Sequence, residues 1–237
     1  MHQSKSLRYI AAVCACLFAA PAQAEPAVVV ELFTSQGCNS CPPADAFLGD
    51  IADEPGVIAL GFHVDYWDYL GWRDTFAQRA FSERQQSYVG MADRSAIKQR
   101  LKGRFTPEIV VQGTSSLIGH DRLGVAASVV AHAKQPAVAS LSLTRSGEEI
   151  AVVYEARAAE SVALMLARVL PVAQVVIERG ENAGKTLTYH RVVTELVKLA
   201  DLPGDGAHSV TVSVDGPVVV FAQAGPGGPI LAASEID

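Results

Sequence analysis

The chain is 237 residues long, with 19 Lys and Arg against 25 Asp and Glu, six histidines and four cysteines. A net charge of −6 with no basic run leaves no electrostatic footprint for nucleic acid or for an anionic membrane surface. No repeat or low-complexity tract interrupts it, and its length suits one large domain or two small ones.

The N-terminus is unlike the rest. Lys5 and Arg8 lead into an apolar run over residues 9–20 that closes on Ala22-Gln23-Ala24. A charged start, a short apolar middle and a small-residue end predict a secretory signal peptide over residues 1–24, cut after Ala24. The mature protein is then secreted or periplasmic. The run is shorter than the ~20 apolar residues of a spanning helix, so no stable membrane insertion is expected once the leader is gone. Cys14 and Cys16 lie in the leader without a lipobox, which leaves Cys38 and Cys41. Two cysteines in an oxidising compartment normally pair. A bridge across two residues, however, closes a loop too small to remove much unfolded-state entropy. That favours a reactive role over a stabilising one.

Residues 28–33 read as a buried, valine-rich strand. A turn over 34–37 delivers Cys38-Asn39-Ser40-Cys41-Pro42-Pro43, after which Ala44, Phe47, Leu48 and Ile51 recur at helical spacing. Prolines are tolerated in a helix's first turn, so the cysteine pair stands at a helix N-terminus that follows a strand. Pro55-Gly56 breaks the helix and residues 57–64 form a second buried strand. In the polar, aromatic stretch over 65–104, Thr75 with Gln78 and Ser82 with Gln85 fit capping boxes, which predicts one or two inserted helices. Thr106-Pro107 opens a third strand over 108–112, Gly113 turns the chain, and a fourth strand over 116–119 leads to a helix capped by Asp121.

This order of elements resembles the thioredoxin superfamily over roughly residues 26–135. More closely, Glu31-Leu32-Phe33-Thr34-Ser35-Gln36-Gly37-Cys38 and Cys41-Pro42-Pro43-Ala44-Asp45 look like an uncharacterised family of secreted bacterial thioredoxin-like proteins. His63-Val64-Asp65-Tyr66-Trp67-Asp68, Gly71-Trp72 and Gly180-Glu181-Asn182-Ala183-Gly184 match it too. The resemblance implies a cis Pro107 facing the cysteines, with Thr106 and Pro107 shaping a substrate groove.

The chemistry follows from placement. A free thiol titrates near pKa ~8.5, and the unpaired N–H groups of a helix N-terminus favour the thiolate. Cys38 is then the nucleophile and Cys41 the resolving thiol. Glu31, a carboxylate in an apolar strand, is costly unless paired or protonated. Burial raises such a pKa, so Glu31 is a candidate proton acceptor for Cys41, the alternative being a basic partner or an exposed strand end. His63 shares a strand face with Asp65, and Cys38, Cys41 and His63 together would suit Cu(I) or Zn. An inert disulfide and a hydrogen-bonded core His63 are the plainer alternatives.

From Ala137 onward, valine-rich segments with turn signals (139–144, 150–156, 163–169, 174–179, 187–196, 209–214, 218–223 and 230–233) predict an antiparallel sandwich of about 100 residues. The glycines of Gly180-Glu181-Asn182-Ala183-Gly184-Lys185-Thr186 stand one residue too close for a phosphate-binding loop, so a hairpin turn is expected there.

The expected fold is thus an α/β thioredoxin-like domain over 25–136, with a helical insertion at about 65–104, followed by a mostly-β, sandwich-like domain over 137–237. The expected function is an exported thiol–disulfide oxidoreductase acting on protein or small-molecule thiols and disulfides, without a cofactor. The alternative is an exported copper- or zinc-handling protein, or a non-catalytic partner-binding protein on the same scaffold.

Overall fold

The computed structural model describes residues 27–90, 103–157 and 160–237. The leader expected over 1–24, and residues 91–102 of the expected helical insertion, lie outside the described residues.

Strand β1 (Val28–Thr34) is buried at all seven positions, because it lies between two strands and under helices. Helix α1 (Pro42–Ala52) begins on two prolines and buries Ala44, Asp45, Phe47 and Leu48. It returns the chain to β2 (Val57–His63), parallel to β1 in register from Val28↔Val57 to Thr34↔His63. A 3-10 turn at Asp68–Leu70 and helix α2 (Arg79–Ser87) follow. Gln78 stands at the α2 N-cap, so Thr75 is not the cap that its spacing predicts. Ser82 is inside the helix, where its hydroxyl donates to Asp65 Oδ1 at 2.5 Å. Strand β3 (Glu108–Val111) runs antiparallel to β1, and β4 (Ser115–Ile118) pairs back onto β3. Helix α3 (Arg122–Ala133) starts where Asp121 accepts the Gly124 N–H at 3.0 Å.

The rest is strand: β5 (Ala139–Ser146), β6 (Glu149–Ala156), β7 (Val162–Val176), β8 (Thr186–Leu202), β9 (Gly206–Ser213), β10 (Val218–Gln223) and β11 (Ile230–Ile236). Eight strands make one sheet in the order β11-β10-β7-β8-β2-β1-β3-β4, and β5-β6-β9 make a second. The large sheet takes strands from both sides of residue 136, joined where β8 runs parallel to β2 at Gly61↔Val192.

The expected fold class is therefore corrected. Among the described residues the structure is mostly β, with 46% strand and 18% helix, built on a mixed eight-stranded sheet rather than on an α/β thioredoxin fold followed by a separate sandwich. The physical reason lies in β7 and β8. Segments 163–169 and 174–179, which the sequence suggests are separate strands around Pro171, are largely one strand. Beyond Arg168, β7 leaves β10 and pairs only with β8. Pro171 sits on that open edge, where a missing N–H costs no ladder bond. The long β8 then covers the β2 edge, which would otherwise present unpaired backbone groups.

Side chains alternate across the large sheet. Val28, Val30 and Leu32 pack with Ala44, Phe47, Leu48 and Val125 beneath α1 and α3. Val29, Phe33 and Phe62 face the other way and pack with Phe81 and Tyr88, and with Val219 and Phe221 of β10. The small sheet packs Ile150, Val152 and Tyr154 against Leu164, Leu166 and Val220. Among the described residues no helix is long and apolar enough to cross a membrane.

Candidate functional site

Cys38 and Cys41 form a disulfide in the loop from β1 into α1. Cys41 occupies the α1 N-cap, and its carbonyl accepts the Ala44 and Asp45 N–H groups at 2.8 and 3.0 Å. Cys38 N–H donates to Ser35 O, closing the preceding turn. Both cysteines are buried, at 1% and 0% exposure, while Asn39 and Ser40 between them are exposed.

A buried polar cluster lies against this loop. Thr34 at the end of β1 donates to Asp45 Oδ1 at 2.7 Å, and Asp45 Oδ2 is buried with no hydrogen-bond partner among the described residues. Burial pushes the Asp45 carboxyl up from 3.8 to about 7; Asp74 adds to the rise, while the Thr34 bond and His63 oppose it. His63, at the end of β2, holds Asp74 Oδ2 through Nδ1 at 2.7 Å, and the same oxygen accepts the Gln36 N–H at 2.7 Å. Gln36 Oε1 in turn accepts Trp72 Nε1 at 2.9 Å and the Thr75 N–H at 3.2 Å. Tyr189 of β8 stacks edge-on against His63, with ring centroids 4.8 Å apart, and its buried hydroxyl has no hydrogen-bond partner among the described residues. Burial, with the charges of Asp45 and Asp74, raises the Tyr189 pKa.

Thr106-Pro107 is a cis peptide. A Cβ built on Gly119 would stand 2.8 Å from Pro107 Cβ and 3.0 Å from Ala44 Cβ, so this peptide and the first turn of α1 converge on one gap. Gly119→Ala should therefore lower stability by about 1–3 kcal/mol, as overpacking against rigid neighbours does. Urea unfolding of the oxidised protein measures it, and an unchanged midpoint would mean that the gap yields freely.

Glu31 is placed elsewhere. Its fully buried carboxylate receives Arg84 Nε and the Tyr88 hydroxyl, each at 2.6 Å. It shares the α2-facing side of β1 with Val29 and Phe33, opposite the side from which Thr34 reaches Asp45. His63 is committed to Asp74 through Nδ1. Among the described residues no group of three or more His, Cys, Asp or Glu is arranged to hold a metal ion.

Four residues at the site went unassigned on sequence grounds: Gln36, Asp45, Asp74 and Asn182. Asp45 carried a signal, since it follows Cys41 by four residues and so shares its helix face. Asn182, in the β7–β8 turn, is fully buried and donates to Gln36 O and Cys38 O, both at 2.9 Å. No local pattern announces that contact.

The solved structures similar to this chain include two of note. Protein AGR_C_4864 from Agrobacterium tumefaciens is 28% identical with a TM-score of 0.72, over 88% of this chain and 93% of that one. HBP35 of Porphyromonas gingivalis is 18% identical with a TM-score of 0.58, over 90% of this chain and 75% of that one, a likeness of fold alone. No curated protein matches the chain. The family model described as "Protein of unknown function (DUF1223)" matches residues 29–223, and the chain, with its disulfide loop and the Asn182 turn inside that span, belongs to this family.

Proposed function

We propose that the protein is an exported thiol–disulfide oxidoreductase whose working bond is Cys38–Cys41. The observation that carries this reading is the bonded pair at the N-terminus of α1, with a buried carboxyl of raised pKa one helical turn away. The cis Thr106-Pro107 peptide converging on the same helix turn supports it.

In the reductive direction a partner thiolate attacks Cys38 Sγ. The partner–Cys38 bond forms as the Cys38–Cys41 bond breaks, and Cys41 leaves as a thiolate. The acid we assign to that sulfur is Asp45, which gives its proton to Cys41 and becomes a carboxylate. A second partner thiolate then attacks the partner sulfur of the mixed disulfide and expels Cys38. In the oxidative direction the Cys38 thiolate attacks a partner disulfide, forming a mixed disulfide and releasing one partner thiolate; Asp45 then takes the Cys41 proton, and the Cys41 thiolate attacks Cys38 Sγ, forming the Cys38–Cys41 bond and expelling the second partner thiolate. Thr106 and Pro107 line the approach to the pair in this reading, and protein or small-molecule thiols are the substrates.

The test is the redox equilibrium of residues 25–237 against a glutathione series, read by alkylation and mass. A potential between roughly −270 and −120 mV is expected of an exchange catalyst. A value below about −300 mV would mark an inert structural bond. Cys41→Ser should trap partners on Cys38 as mixed disulfides, and Cys38→Ser should trap none.

A further inference from the structure

Both sulfurs are buried, and the loop that carries them is hydrogen-bonded to the turn between β7 and β8. Asn182 is itself fully buried, and both of its amide protons are donated. Nδ2 donates to Gln36 O and Cys38 O, both at 2.9 Å, and Oδ1 accepts Lys185 Nζ at 2.9 Å. Glu181 Oε2 accepts the Asn39 N–H at 3.3 Å. The turn thus binds the disulfide loop on either side of Cys38 and on its exposed face. It is also stiff within itself, since Gly184 N–H donates to Ile177 O at 2.7 Å and Ile177 N–H to Lys185 O at 2.9 Å. Gly180, at φ +78°, lies so near Trp72 that an added Cβ would stand 3.2 Å from Trp72 Cβ. A side chain there would be strained and would push the turn off the site.

We propose that the β7–β8 turn is a specificity element for the disulfide: Glu181 and Asn182 hold the Cys38 loop closed, so that small thiols reach Cys38 readily and polypeptide thiols are held back. The inference rests on the oxidoreductase reading. A small thiol needs only local breathing of the loop for an in-line approach to Cys38 Sγ. A polypeptide brings backbone on both sides of its sulfur and needs the whole turn to part from Gln36, Cys38 and Asn39. The exchange is the same in each case. Two partner thiols become a disulfide, the Cys38–Cys41 bond becomes two thiols, and the two partner protons end on the cysteine sulfurs.

The experiment compares second-order rates of reduction of oxidised protein by dithiothreitol and by reduced, unfolded ribonuclease A. It uses wild type, Asn182→Ala and the exposed-site variant Glu181→Ala, which guards against a folding defect at the buried position. The ratio of polypeptide rate to dithiothreitol rate should rise at least tenfold in Asn182→Ala and several-fold in Glu181→Ala. Equal acceleration of both rates, or no change in either, overturns the selectivity of the turn while leaving the oxidoreductase reading in place. No exchange by wild type with either thiol overturns that reading and this inference with it.

Discussion

Asp45→Asn should slow reduction of the Cys38–Cys41 bond by dithiothreitol near pH 7 by on the order of 10²-fold, the usual worth of a positioned proton donor. The same variant should change how stability depends on pH. Burial, aided by Asp74 and opposed by Thr34 and His63, raises the Asp45 pKa from 3.8 to about 7. The folded state therefore holds this proton more tightly than the unfolded chain does. The contribution to stability is fully present below about pH 4 and is lost as pH rises through about 7. A shift of about three units corresponds to roughly 4 kcal/mol. Urea unfolding of the oxidised wild type should show that decline between about pH 4 and 7, while Asp45→Asn should be nearly flat there. A variant whose stability falls as steeply as that of wild type would place the titrating group elsewhere. A flattened profile with unchanged exchange kinetics would keep the buried acid but remove it from the reaction.

The second large effect lies on the opposite face of the sheet. Arg84→Ala leaves the Glu31 carboxylate, at 0% exposure, without its guanidinium. Stranding a buried charge costs about 3–5 kcal/mol. The Arg84 guanidinium also lies 5.1–5.5 Å from the ring centres of Phe221, Tyr88 and Phe62 and bonds Gln223 Oε1 of β10 at 3.0 Å. Its loss therefore loosens the contact between α2 and β10. The urea midpoint should fall with the slope unchanged. Replacing Glu31 and Arg84 together by leucine should recover most of the loss, because two buried charges disappear at once. A loss below about 1 kcal/mol in Arg84→Ala would mean that water reaches Glu31.

The first half was legible wherever local chemistry decides structure. The run over 28–33, the double proline after Cys41, the Pro55-Gly56 break and Asp121 mark β1, α1, β2 and the start of α3 within a residue or two. Those signals act over a few residues. The polar stretch misled because Thr75 and Ser82 serve tertiary partners: Thr75 is tied to Gln36, and Ser82 to Asp65. The sheet order was not legible. A parallel pairing such as Gly61↔Val192 has no connecting turn to betray it, and Pro171 reads as a break until its strand is known to be an edge. At the site, the cysteines and Thr106-Pro107 stood out by type and spacing. Glu31 stood out as well, as a lone charge in an apolar strand, but its partner Arg84 lies 53 residues away. Asp45 follows Cys41 by four residues on the same helix, but its raised proton affinity comes from burial, which tertiary packing sets.

The Asn182 turn has a consequence for the order of events in a protein's life. The two cysteines are three residues apart, whereas Asn182 is 144 residues downstream of Cys38. In a chain synthesised from its N-terminus, the pair exists long before the turn that binds its loop does. β8, which completes the sheet beside β2, arrives later still than the turn. Each newborn molecule therefore passes through a stage in which these sulfurs are open to any thiol or oxidant nearby, and selectivity begins only when the last third of the chain has folded back. The state in which the disulfide can first form and the folded state that holds it are, on this architecture, two different chemical environments.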